Sequence, residues 1–490
     1  MTTPARTVRP PHRRGAFRML GVFFRTYPGR STVALVSVFV ASLFEGLGMS
    51  MLLSMLSLAG GSSDAPPSRP QQLALDVVSH LGIMPTALNL LFVAIVLIAM
   101  RGAMSLYANR QVGYTVAHIA TDLRLTLIRA MMGARWSHYL QQSVGGLSNA
   151  VATEAQRASE AFQLGAEMAA TVLSSIVYLT VAFSISWQAG IAATFAGGAL
   201  LLTMRALIRT SRHAGEHQTE LQKSLLTLMS AQFAAAKPLK AMAREDHVDA
   251  LLTDQTQQLE RALRQQVVSK EALTAMQEPM LAIMVGAGFY LALNILHLPM
   301  SDTIVMLFML ARVVSYLSKG QKAYQQVVMR ESAYWSMVHA IDEAHQQSEP
   351  QGGDRSVQFS QALRFEAVSY AHGQSRTILR GQSLDIPARG LTLVIGPSGA
   401  GKTTLLDLVI GLRQPDSGRI VVDDVPLAEL NLREWRRQIG YVPQESVMVD
   451  ESVAHNLTLG ESLPEEQIRA ALRAANALQF VEAMPEGLAT

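Results

Sequence analysis

The residues with the plainest chemistry in this chain are Gly396, Pro397, Ser398, Gly399, Ala400, Gly401, Lys402, Thr403 and Thr404, which match G-x-x-x-x-G-K-[ST] at every fixed position. The glycines let successive backbone N–H groups turn inward onto an anion, and a helix starting at the lysine adds the positive end of its dipole. Lys402 is placed to reach the β and γ phosphates, and the Thr403 hydroxyl to ligate Mg²⁺. This is the chemistry of a nucleoside triphosphate cradle.

Such a loop needs a strand to deliver it and a helix to receive it. The apolar run 391–395 reads as a buried strand, and 404–410 reads as a helix. Short alternating segments at 363–368, 383–386 and 419–422 read as further strands, so a soluble α/β domain begins near residue 361 and runs to 490. Before it lies a linker at 348–360 that opens with Gly, Pro and charged residues.

The remaining two thirds of the chain are of another kind. Of 490 residues, 49% are hydrophobic, with a mean hydropathy of +0.20, too apolar for an ordinary soluble enzyme. Apolar segments fall at 31–59, 86–108, 166–186, 187–204, 279–296 and 301–317, each near the roughly 20 residues that cross a bilayer. The first is far longer than the roughly 7 to 15 apolar residues of a signal peptide. Residues 31–347 are therefore expected to form a transmembrane domain behind a basic N-terminal arm, 1–30, which carries Arg6, Arg9, Arg13, Arg14, Arg18, Arg25 and Arg30 and no acid. Basic residues also crowd the connections after the second and fourth spans, from Arg110 to Arg157 and from Arg209 to Lys270, and are nearly absent from the others. By the positive-inside rule the N-terminus, these two connections and the C-terminal domain face the cytoplasm. A net charge of +3 gives no reason to expect a nucleic-acid partner, and the absence of cysteine excludes disulfides and thiolate chemistry.

Local motifs narrow the class. Val368, Ser369 and Tyr370 resemble an aromatic loop that stacks on adenine; the run from Pro415 to Ile420 and the run from Leu432 through Ile439 to Gln444 resemble the approach to a Q-loop; Ser452 to Leu457 resembles the stretch that follows it. With six spans and long cytoplasmic extensions ahead of them, these motifs resemble the exporter-type ATP-binding cassette (ABC) half-transporters, a six-helix all-α membrane domain fused to an α/β P-loop nucleotide-binding domain. The resemblance implies that Tyr370 takes the adenine, Gly396 to Thr404 the phosphates, and Thr403 with Gln444 the Mg²⁺. It implies a cell (inner) membrane protein that works as a homodimer or with a paralogous half-transporter and moves an amphipathic substrate in contact with membrane lipid. It also implies helices protruding at about 135–146 and 234–245 that pass motion between the two parts. The family pattern continues beyond the motifs present here into a signature sequence, a Walker B carboxylate pair and a switch histidine. The sequence is accordingly expected to be a C-terminally truncated exporter in which hydrolysis is in doubt; the alternative is a membrane protein that binds ATP without turning it over.

Glu45, Arg101 and Arg312 are charged residues that lie well inside the spans, away from their ends. At that depth each costs roughly 2.5 to 3.5 kcal/mol on insertion scales, so each should face the bundle interior, a partner or water. Two readings stay open: ion pairs that fix helix packing, or a substrate path for an amphiphile with an anionic head.

Overall fold

A computed structural model describes residues 15–59, 86–185, 205–295, 300–350, 352–372, 376–444 and 448–490, with isolated positions between 76 and 84 and between 187 and 198. The chain divides into two compact units, Met1–Pro350 and Gln351–Thr490.

Among the described residues the first unit is helical: α1 (Ala16–Thr26), α2 (Pro28–Ala59), α3 (Ala87–Met132), α4 (Ala155–Ile185), α5 (Arg205–Ala234), α6 (Glu245–Asn294) and α7 (Met300–Gln346). At about 1.5 Å per residue, the 50 residues of α6 run about 75 Å, more than twice the roughly 30 Å of a hydrocarbon core. Four stretches among the described residues are long and apolar enough to cross a membrane: Pro28–Gly48, Ala87–Met132, Val144–Thr180 and Val248–Asn294. Each overlaps an expected span. The expected span 301–317 lies at the start of α7, and 187–204 lies largely outside the described residues. Pro279, read as the beginning of a span, instead sits inside α6. It removes one backbone donor, a loss that neighbouring helices and side chains can make good.

The basic arm is not a loose tail where it is described. Helix α1 buries Ala16, Met19, Leu20 and Phe23 on one stripe. That stripe enters a core built from α3, α4 and α7, in which the Phe23 ring meets Phe162 and Tyr334 edge-on at 5.8 and 5.0 Å. Burying a phenylalanine contributes about 1.5 to 3 kcal/mol, enough to hold a short helix that would not persist alone. The Tyr27 hydroxyl donates to Asp122 at 2.6 Å just beyond it.

Short helices, Trp136–Tyr139 and Ala236–Ala241, lie within the stretches where protruding helices are expected, and Val144–Asn149 overlaps the end of the first. The linker start belongs to this unit. Residues 133–135 and 347–349 are laced together, Arg135 N to Gln347 O and Glu349 N to Gly133 O, both at 2.8 Å.

The second unit has an antiparallel sheet in the order β2-β1-β3-β4, with β1 (Ala362–His372), β2 (Arg376–Pro387), β3 (Ser417–Val422) and β4 (Val425–Pro426). The expected strands at 363–368, 383–386 and 419–422 lie within the first three. Leu363, Phe365 and Val368 of β1 are buried with Ile420 and Val422 of β3 and with Leu405 and Leu408 of α8 (Lys402–Val409). Helix α9 (Leu432–Arg437) is capped by Asn431, whose side-chain oxygen accepts from two backbone N–H groups, and its Trp435 donates to Val409 O at 2.9 Å.

One element differs from the sequence reading. Residues 391–395 form no strand, and Leu391, Leu393 and Ile395 are 98%, 76% and 82% exposed. An apolar run becomes a buried strand only when strands on either side take up its backbone groups. Among the described residues, β1 to β4 pair with one another and leave it no ladder partner.

Candidate functional site

The phosphate loop forms at the head of α8. Gly401 caps the helix in a left-handed conformation, φ 92° and ψ 14°, and Gly399 has φ 81°. At Gly401 a second constraint is added, because a Cβ there would lie 2.5 Å from Ile378 Cγ2. The first N–H groups of α8 have no carbonyl within the helix to bond to, so they face the loop as donors for an anion. Lys402 folds back over the same mouth, its Nζ donating to the carbonyls of Gly396 at 2.8 Å and Pro397 at 3.0 Å. A phosphate oxygen is a stronger acceptor than a peptide carbonyl, so the ammonium is positioned to transfer to it.

The two threonines of the motif part company. Thr404 is buried with the core, leaving its backbone N–H to act, whereas Thr403 is exposed in the first turn of the helix. Gln444 is exposed in a bend after Pro443. Thr403 and Gln444 both offer neutral oxygen, which suits Mg²⁺, a cation that keeps several waters and takes few protein ligands beside phosphate.

Tyr370 lies within β1 opposite Leu379 of β2, on a strand and not on a free loop. Its hydroxyl accepts from Arg413 Nη1 at 2.6 Å, and its ring meets His372 edge-on at 5.6 Å. Arg413 in turn is paired with Asp407 of α8 at 2.9 Å. Neither Arg413 nor Asp407 stands out in the sequence, because nothing in the spacing links a residue after α8 to an aromatic on β1.

In the first unit, the three membrane-depth charges separate. Glu45 of α2 is buried and pairs with Arg101 of α3, Oε2 to Nε at 3.0 Å. Tyr316 of α7 donates its hydroxyl to Glu45 and stacks on Tyr178 of α4, ring centroids 5.1 Å apart, so four helices meet around one carboxylate. Arg312 lies one turn before Tyr316 on α7, and its guanidinium rests over the Phe308 ring at 5.3 Å. Among the described residues no carboxylate lies within ion-pair distance of it. The two tyrosines went unread in the sequence; their signal is a phenol at the depth of the charged groups in an otherwise apolar helix.

Comparison with known proteins agrees with this architecture. Residues 32–316 match the ABC transporter transmembrane region, and residues 379–487 match the ABC transporter domain. Among curated relatives, the heterocyst differentiation ATP-binding protein HepA of Nostoc is 23% identical over 94% of this chain and 76% of its own length. An ATP-dependent lipid A-core flippase of Chromobacterium violaceum is 25% identical over 90% of this chain and 76% of its own. Another flippase of the same name, from Burkholderia pseudomallei, is 26% identical over 81% and 68%. The solved structure of a bacterial Atm1-family ABC exporter with ATP bound shares the fold, with a TM-score of 0.74 at 18% identity over 94% of this chain and 79% of that one. A membrane-spanning helical unit that matches the family over more than half of the chain, followed by an ATP-binding unit, makes this a multi-pass membrane protein of the ABC transporter family, with the permease and the ATP-binding domain of an exporter fused in one polypeptide.

Proposed function

We propose that this chain uses ATP to move an amphipathic substrate with an anionic head across or out of the cell (inner) membrane, acting as one half of a dimer with an identical or paralogous chain. The observation that carries the substrate reading is the division among the three charges. Glu45 and Arg101 neutralise each other, while Arg312 rests on an aromatic face and has no carboxylate within ion-pair distance among the described residues. A guanidinium at that depth favours an anion, and its planar fork suits a phosphate or carboxylate. The lipid A-core flippases among the relatives are consistent with a lipid of this kind.

In the ATP-binding unit, Tyr370 takes the adenine face and residues 396–404 the phosphates, with Lys402 supplying the charge. Thr403 and Gln444 would hold Mg²⁺, whose charge would offset that of the phosphates. Gln444 suits this part because a neutral amide can coordinate a hard cation and release it readily as the domain moves. The arginine-rich N-terminal residues and the two basic connections support a cytoplasmic position for the N-terminus and the ATP-binding unit.

The test is movement of a fluorescent anionic phospholipid, with a zwitterionic one as control, in vesicles containing the full chain and ATP. Arg312→Ala is expected to abolish preference for the anionic lipid while leaving ATP binding intact. An unchanged preference would sink the substrate reading. Phosphate release in the same vesicles separates a pump from a nucleotide sensor: binding with no release under any lipid condition supports the sensor.

A further inference from the structure

The mechanism so far gives the base and the phosphates separate seats, Tyr370 on β1 and the loop at the head of α8. One side chain joins them. Arg413 donates from Nη1 to the Tyr370 hydroxyl at 2.6 Å, its guanidinium carbon lies 5.6 Å from the Tyr370 ring centre, and its Nε bonds Asp407 Oδ2 at 2.9 Å. The side chains of Arg413 and Asp407 are 8% and 13% exposed, so this pair is shielded from water. Asp407 lies one helical turn after Thr403 in α8, and its backbone carbonyl also accepts from the N–H groups of Leu412, at 2.8 Å, and Arg413, at 3.3 Å. The far end of β1 is tied to the same turn, with Ala371 N donating to Asp416 Oδ2 at 2.7 Å and Asp416 N to Ser369 O at 2.9 Å.

A tyrosine ring near a strand end has a broad torsion to settle, and each freedom it keeps must be lost when a base stacks on it. A guanidinium with five donors in a rigid fork can hold a phenol and a carboxylate at once, which an ammonium cannot do in the same geometry. We propose that Arg413 is a positioning residue for nucleotide binding: it fixes the Tyr370 ring in the orientation that receives adenine and references that orientation, through Asp407, to the helix that holds the phosphates. This rests on the reading that Tyr370 stacks the base.

The experiment measures displacement of a labelled ATP analogue from the full chain by ATP and, separately, by inorganic tripolyphosphate, which has no base. Tyr370→Ala tests the underlying reading and is expected to weaken ATP about tenfold or more while leaving tripolyphosphate unchanged. Arg413→Gln is expected to weaken ATP about fivefold, again without effect on tripolyphosphate, and to add nothing in the Tyr370→Ala background. Equal loss for both competitors would mean that Arg413 only holds the domain together, and no loss for either would mean that it does not orient the ring; each overturns the proposal. If Arg413→Gln does not fold, Tyr370→Phe decides, since it keeps the ring and removes the acceptor: a drop for ATP alone supports the proposal, and unchanged ATP affinity overturns it. Should Tyr370→Ala leave the ratio of the two affinities unchanged, the base assignment falls and the role of Arg413 with it. A normal Tyr370→Ala loss with no Arg413→Gln effect removes the latter only.

Discussion

Replacing Gly401 by alanine probes whether the backbone of the phosphate loop, and not merely its lysine, makes the nucleotide site. The native φ of 92° lies where a residue with a Cβ is strained by about 1 to 3 kcal/mol. The added Cβ would also stand 2.5 Å from Ile378 Cγ2, an overlap that adds about 1 to 3 kcal/mol unless Ile378 turns away. Together these come to about 2 to 6 kcal/mol against the binding conformation. At about 1.4 kcal/mol per tenfold, the midpoint corresponds to nearly a thousandfold loss of ATP affinity, and the lower limit to roughly thirtyfold. Gly399 provides the internal control: its φ of 81° carries the same backbone strain, but a Cβ there meets nothing within 4 Å. Gly399→Ala should therefore lose only about 5- to 150-fold. Adding Ile378→Ala to Gly401→Ala should restore the smaller loss by removing the clash and leaving the strain. The assay is equilibrium binding of a labelled ATP analogue to the full chain, with thermal unfolding checked in parallel. Unchanged affinity in Gly401→Ala, or a larger loss in Gly399→Ala than in Gly401→Ala, would refute the geometric account.

Arg101→Met should destabilise the membrane unit by about 3 kcal/mol by leaving Glu45 buried and uncompensated, the low end of the usual range because the Arg101 side chain is 42% exposed. Combining it with Glu45→Gln should recover most of that loss in thermal unfolding of the purified chain, and failure to recover would mean the pair is not the relevant contact. In the second unit, burial raises the Asp423 pKa, but N–H groups donated by Ser360, Ala362 and Gln361, with the Ser360 hydroxyl, outweigh it and hold the carboxyl below its ordinary value. A depressed folded pKa means the stabilisation is present above the unfolded value of about 3.9 and is lost as pH falls through the lower folded value. The wild-type chain should lose more unfolding temperature than Asp423→Asn on acidification below about pH 4; parallel curves would argue against the assignment. Trp435→Phe removes the donor to Val409 O and should cost the second unit about 1 to 3 kcal/mol, read as a lower unfolding temperature with the membrane unit unaffected.

Much of the architecture was legible without coordinates because it depends on signals contiguous in the chain. Helix-length apolar runs marked stretches that could cross a membrane, and the distribution of arginine and lysine suggested the cytoplasmic side. The glycine and lysine spacing at 396–402 specified the loop, since φ above zero is tolerated best by glycine and the helix start follows directly. The start of β1 was readable for the same reason, Leu363 and Phe365 being buried at alternate positions, whereas β3 showed as a short apolar run that buries Ile420, Val421 and Val422 in succession. The run 391–395 was not, because apolar residues do not make a strand until neighbouring strands accept its backbone groups. Sequence alone also listed Glu45, Arg101 and Arg312 as equals. Only the packing of α2, α3, α4 and α7 divides them into a neutralised pair and a cation beside an aromatic ring. The docking of α1 and the link from Asp407 through Arg413 to Tyr370 were likewise decided by tertiary structure. Local chemistry follows from neighbours along the chain, whereas which charge meets which partner depends on residues far apart in sequence that folding brings within a few ångströms.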